Sequence, residues 1–173
     1  FYTLADSVIV GKTLGAQSLA AVGSTSIIIY FVFCFINGFT GGFGICLGQR
    51  CGAKDEEGMR KSVAVSTMLS IVFTIVLTLI CCLLAHEILY LMQIPKDIEQ
   101  EAYDYMFVVL LGTGVTVFYN MISNMLRALG DSKTPLYFLV FSSVLNIFLD
   151  ILFIVPFQMG VAGAAWATIL SQF

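Results

Sequence analysis

Long apolar runs alternate with short polar turns along this chain, and the alternation predicts its architecture. The runs fall at about residues 1–10, 22–47, 62–84, 103–126, 135–157 and 160–173. Between them lie GKTLGAQSLAA, GQRCGAKDEEGMRK, the acidic connection HEILYLMQIPKDIEQEAYD, RALGDSKTP, and a break at Pro156 and Gly160. A helix rises 1.5 Å per residue, so about 20 apolar residues cross a bilayer's hydrocarbon. The pattern predicts an all-α membrane protein, a six-helix transmembrane bundle. Its first and last spans are short and read as truncated, so the chain reads as a piece of something longer. Within the turns, Asp55 followed by Glu56 and Glu57 predicts a capped helix start. Gly130 suits a helix C-cap, and Pro135 suits the first position of the fifth helix.

Composition agrees with the pattern. The chain is 59% hydrophobic and only 11% charged, against about 25% charged residues in a typical globular domain. A net charge of −3 offers no basic footprint, which argues against a nucleic-acid partner. Five cysteines, Cys34, Cys46, Cys51, Cys81 and Cys82, form no CxxC pair and read as small packing residues. Lysines and arginines set the orientation. Arg50, Lys54, Arg60, Lys61, Arg127 and Lys133 fall on one side and only Lys12 and Lys96 on the other. The first group is expected in the cytoplasm, with the acidic connection outside.

Against this background one residue stands out. Asp150 lies deep in the run PLYFLVFSSVLNIFLDILFIVPF, with Asn146 one turn before it and Ser142 and Ser143 a turn earlier. Residues 143, 146 and 150 share one helix face. A carboxylate at a membrane helix's centre costs roughly 2.5–3.5 kcal/mol on insertion scales, so it calls for a partner or a wet cavity. Asp6 in the first span is the other acid within the spans. Counting inward from the outer turns, Asp6, Asp150 and Thr168 of the last span are expected at one depth, roughly 10–12 Å below the outer ends at the helical rise. Two such carboxylates favour the protonated form of at least one, through desolvation and mutual repulsion. With Asn146 and Thr168 as neutral oxygen donors they could hold a proton or a small hard cation such as Na⁺. An organic cation could compete for them, which is the physical core of antiport; a structural pair that only locks helices is the bland alternative. No metal site beyond such a Na⁺ site, and no other cofactor, is expected.

An enzyme is not expected. His86 is the single histidine, the Gly-x-Gly-Asp setting of an intramembrane aspartyl protease is absent around both acids, and no P-loop, HExxH or GxSxG motif occurs. Gly38, Gly42, Gly44 and Gly48, and Gly160, Ala164 and Thr168, follow small-xxx-small spacing, which predicts close helix packing.

Several stretches resemble one family. ADSVIVGKTLGAQSLAAVG is similar to the first-helix signature of the multidrug and toxic compound extrusion (MATE) transporters. GQRCGAKD, LRALGDSKTP, and NIFLDILFI followed by GVAGAAWATILSQ are similar to later segments of that family. The resemblance implies one N-terminal lobe of a twelve-helix transporter, in the cell membrane, whose C-terminal lobe is missing. It implies that Asp6, Asn146, Asp150 and Thr168 form a coupling site for H⁺ or Na⁺. It also implies that Tyr105, Asn120 and Ser143 line a substrate cavity, and that amphipathic, often cationic compounds are exported by alternating access. The fragment alone is not expected to transport. A related lipid-linked oligosaccharide flippase would need a basic cavity, and the spans hold no internal Arg or Lys. A non-transporting membrane scaffold would not need converging carboxylates.

Overall fold

The computed structural model describes the backbone of residues 2–173 and the side chains from Ser7 onward. Seven helices follow one another with no strand among the described residues: α1 (Tyr2–Thr13), α2 (Ala16–Gly52), α3 (Glu56–Leu91), α4 (Lys96–Leu111), α5 (Thr113–Ala128), α6 (Lys133–Ile154) and α7 (Gly160–Gln172). Short turns make successive spans run up and down. Thus α1, α3 and α6 point one way, and α2, α4–α5 and α7 the other.

Helix lengths extend beyond the apolar runs. At 37 and 36 residues, α2 and α3 are about 55 Å long, well over the roughly 30 Å of hydrocarbon, so their polar ends project beyond it. The fourth apolar run is two helices rather than one, since α4 and α5 meet at Gly112 with a bend of 44°. Taken as one span, this pair brings the helices able to cross a membrane to four, with α2, α3 and α6. At 12 and 13 residues, α1 and α7 are too short to cross alone.

The turns follow from their residues. Gly15 at φ 98° reverses the chain between α1 and α2, a conformation costly for any residue with a Cβ. Asp55 caps α3 by accepting the Gly58 N–H at 2.9 Å and pairs with Arg50 at 2.7 Å. Those two contacts hold its carboxyl below the usual carboxylate value. Gly130 at φ 92° ends α5, as its position in the sequence predicts. Pro135 is the third residue of α6 rather than the first. The turn before α6 is fastened instead by Asp131, whose Oδ1 accepts the N–H groups of Lys133 and Thr134 at 3.1 and 3.0 Å.

Three apolar clusters organise the described interior, the smallest of them Leu47, Met121 and Met125 between α2 and α5; the other two are larger. One joins α2, α3 and α4 through Val32, Ile36, Ala85, Leu89, Ala102 and Met106. The other joins α1, α2, α4, α6 and α7 through Val10, Val22, Tyr105, Val109, Ile154 and Ala164. Outside them the surface is apolar: Phe31, Met68, Leu83, Tyr137, Phe141 and Val144 are all well exposed. An apolar surface of that extent suits a lipid solvent.

Close approach occurs at only some of the small residues. A Cβ on Gly44 would stand 3.0 Å from the Asn124 carbonyl oxygen, so α2 and α5 pack backbone to backbone there. Gly48 meets Ala128, and Gly163 meets Phe153. Gly38, Gly42 and Gly160 face no neighbouring atom among the described residues. Spacing alone identifies a flat helix face but not whether anything lies against it. All five cysteines are free.

Candidate functional site

The buried face of α6 is a stripe at four-residue intervals: Ser142, Asn146, Asp150 and Ile154. Asn146 and Asp150 are fully buried, although most of the helix is bare on its other sides. The stripe turns toward α7, the helix on which α6 packs most extensively, and toward α1. α7 can lie this close because its buried residues are Val161, Gly163, Ala164, Ala165, Ala167 and Ser171, all but one of them Gly, Ala or Ser.

Across that contact the Asn146 side-chain amide donates to Thr168 Oγ1 at 3.4 Å. Thr168 Oγ1 donates in turn to the Ala164 carbonyl at 3.1 Å, and Ser171 donates to the Thr168 carbonyl at 2.9 Å. Asn146 and Thr168 therefore meet, and Asp150 stands one turn farther along the same buried stripe. The Asp6 side chain lies outside the described residues. Its place along α1 is given by Val10, one turn later, which shares an apolar cluster with Ile154 and Ala164. Asp6, Asp150 and Thr168 are each four residues from these three, in the same direction across the membrane, about 6 Å at the helical rise.

The remaining expected residues are dispersed over three helices. Tyr105 is buried in the cluster that holds Ile154, one turn beyond Asp150 on α6. Asn120 on α5 is half-buried and donates to the Thr116 carbonyl at 2.8 Å. Ser143 is half-buried, donates to the Leu139 carbonyl at 2.7 Å, and flanks the buried stripe that Ser142 belongs to. A largely apolar cavity of about 650 Å³ opens between α5, α6 and α7, walled by Phe118, Phe141, Leu145 and Ser171. None of Tyr105, Asn120 and Ser143 lines it.

Two features were not foreseen from the residues. Thr116 on α5 donates to the Gln172 side chain on α7 at 2.9 Å. One turn before Thr116, Gly112 at the α4–α5 break receives the side chain of Ile169, which a Cβ there would overlap. Residues 168, 169 and 172 thus tie α7 both to the α6 stripe and to the bend. The signal available in the sequence was the pair Gly112 and Gly114 within an otherwise apolar run.

The site offers buried oxygens from two neighbouring helices and no metal cluster of His, Cys, Asp or Glu among the described residues. Comparison with known proteins agrees with this architecture. A relative from Bacillus subtilis (strain 168), the probable multidrug resistance protein YpnP, is 38% identical over 167 residues, covering 96% of this chain and 38% of the relative. A solved multidrug resistance MATE family transporter of the MOP superfamily superposes with a TM-score of 0.93 at 33% identity in an inward-facing conformation, and 0.92 at 32% in an outward-facing one. Each superposition covers 99% of this chain, and 39% and 38% of the other. The chain thus spans well under half the length of the proteins it matches. The family model MatE matches residues 1–152, and the chain therefore belongs to the MatE family of multi-pass membrane transporters.

Proposed function

We propose that this chain is the N-terminal lobe of a secondary transporter that exports amphipathic, often cationic small molecules in exchange for H⁺ or Na⁺. The observation that carries the reading is the full burial of Asp150 and Asn146 on the α6 face that meets α7 and α1, with Asn146 bonded to Thr168. Burying a carboxylate in a membrane helix is costly unless its charge is neutralised or shared. A proton or Na⁺ at Asp150, shared with Asp6 of α1, neutralises it, and release restores the charge. Each state favours a different packing of α1 against α6 and α7, which is how occupancy biases a two-state equilibrium. Asn146 and Thr168 supply the neutral oxygens; Tyr105, Asn120 and Ser143 contribute to the path of the cargo.

Alternating access then requires a second lobe against which this one moves. The near-equal likeness to inward- and outward-facing structures supports a lobe that travels as a unit. The excess of Lys and Arg at the α2–α3 and α5–α6 turns supports a cytoplasmic location for those turns. The test is efflux of a fluorescent organic cation from proteoliposomes of the intact protein, with H⁺ and Na⁺ gradients imposed separately. Export driven by one gradient and lost in Asp6→Asn is expected. Export indifferent to both gradients, or undiminished in Asp6→Asn, overturns the reading.

A further inference from the structure

We propose that the groove between α2 and α3, at their shared turn, binds the headgroup of an anionic phospholipid. The groove has a cavity volume of about 390 Å³. That is within the range of sites that hold small organic ligands, about 300–1,000 Å³. Its polar end carries Arg50 and Lys61 together with Gln49, and no acidic side chain lines it. Its deeper walls are Phe43, Val65 and Leu69.

The two ends ask for different things. Arg50 is held at the mouth by its ion pair with Asp55, and it can lie across the first turn of α3 because Gly58 has no side chain there. That pair engages one guanidinium nitrogen, Nη1. Arginine has five N–H donors, so others remain for an anionic oxygen. Lys61 forms no ion pair among the described residues. Ser62 and Ser66 also line the groove, and serine hydroxyls suit phosphate oxygens. A soluble phosphate would use only this end. The apolar walls continue toward the bilayer core, where α3 exposes Val65, Met68, Leu69 and Val72, and an acyl chain satisfies them. Basic pockets between transmembrane helices near the cytoplasmic face are a recurring seat for acidic lipid headgroups.

The test is native mass spectrometry of the intact protein released from nanodiscs of phosphatidylglycerol or of phosphatidylcholine. One retained phosphatidylglycerol per protein is expected, with little retained phosphatidylcholine. Lys61→Gln should weaken retention roughly five-fold, the scale of one basic group near a charged membrane surface. Lys61→Arg should preserve it, and Val65→Trp, filling the groove while keeping both charges, should abolish it. Equal retention of the two lipids, no effect of Lys61→Gln, or displacement by millimolar inorganic phosphate would each overturn the assignment. Folding of the variants is checked by their thermal transitions, and Lys61→Arg and Val65→Trp test opposite ends of the groove.

Discussion

Asn146 on α6 and Thr168 on α7 are joined by a single side-chain hydrogen bond of 3.4 Å, in a place where Asn146 has no exposure at all. The bond is longer than the 2.7–3.2 Å usual for N–H···O. The other amide atom, Asn146 Oδ1, is buried without a hydrogen-bond partner among the described residues. An acceptor left open beside Asp150 is the kind of oxygen that a cation or a protonated carboxyl would engage. The pair is therefore a joint between two helices that still has coordinating capacity.

Thr168→Val tests this joint with little change of shape. It leaves the Asn146 amide buried without its acceptor, a loss of about 1–3 kcal/mol for a desolvated polar group. Thermal unfolding of the purified protein should shift down accordingly, and Thr168→Ser should restore it. If Na⁺ or H⁺ occupies the site, the stabilisation that the ion gives to the parent protein should shrink in Thr168→Val and persist in Thr168→Ser. An unfolding temperature unchanged in Thr168→Val would show that the hydroxyl contributes nothing to the joint.

Asp150→Asn separates charge from structure. The side chain keeps its size and a carbonyl oxygen, so the helical fold should survive and the circular dichroism spectrum should match the parent. Ion-driven export should fall at least roughly ten-fold, the effect of about 1.4 kcal/mol on a coupled equilibrium. A variant that exports at the parent rate, with the parent's pH and Na⁺ dependence, would mean that Asp150 is purely structural.

The position of Asp150 was legible because a polar group in an apolar helix is expensive, and expense is visible in a sequence. Its neighbours were less so. One residue turns a helix by 100°, and Ser142, not Ser143, shares the buried face with Asn146 and Asp150. The bend at Gly112 was hidden because LLGTGV reads as continuous apolar helix, and only the seating of Ile169 from another helix marks where the helix breaks. Gly38 and Gly44 carry the same small-residue signal, yet only Gly44 has α5 against it. Periodicity fixed the helices and the polar stripe. Which faces meet is tertiary information that spacing does not carry.

Gly112→Ala probes the bend. A methyl there overlaps Ile169, and overpacking of this kind typically costs 1–3 kcal/mol. Ile169→Ala alone should also destabilise, by leaving a cavity, at about 2–5 kcal/mol. The double variant should be more stable than the sum of the two losses predicts, because one change makes room for the other. A double-mutant cycle with a coupling of at least about 0.5 kcal/mol is the expected outcome. Strict additivity would show that the two residues do not share the space. Since Thr168 is adjacent to Ile169, Gly112→Ala should also disturb ion-dependent stabilisation in a way that Gly48→Ala, packed against Ala128 elsewhere on α2, does not.

The α2–α3 turn should respond to pH only in acid. Asp55 accepts the Gly58 N–H and pairs with Arg50, and both contacts lower its carboxyl below the ordinary value of 3.8. A group whose folded-state value is depressed adds stability that is fully present above the unfolded value. That stability fades as pH falls through the folded one. Between about pH 5 and 8 the capped start of α3 should therefore be insensitive to pH, with its loosening confined to values below about 4. Hydrogen exchange at the Gly58 amide, corrected for the intrinsic effect of pH, measures it. Protection should be flat across neutral pH and decline in acid. Asp55→Asn keeps a capping oxygen and should lose the acid dependence while retaining part of the protection. Arg50→Gln removes the second cause of the shift, so its decline should be smaller in total and should level off at a higher pH than in the parent. A decline of the same size and lower end point with and without Arg50 would mean that the 2.7 Å ion pair does not hold the carboxylate, and that the Gly58 N–H alone does.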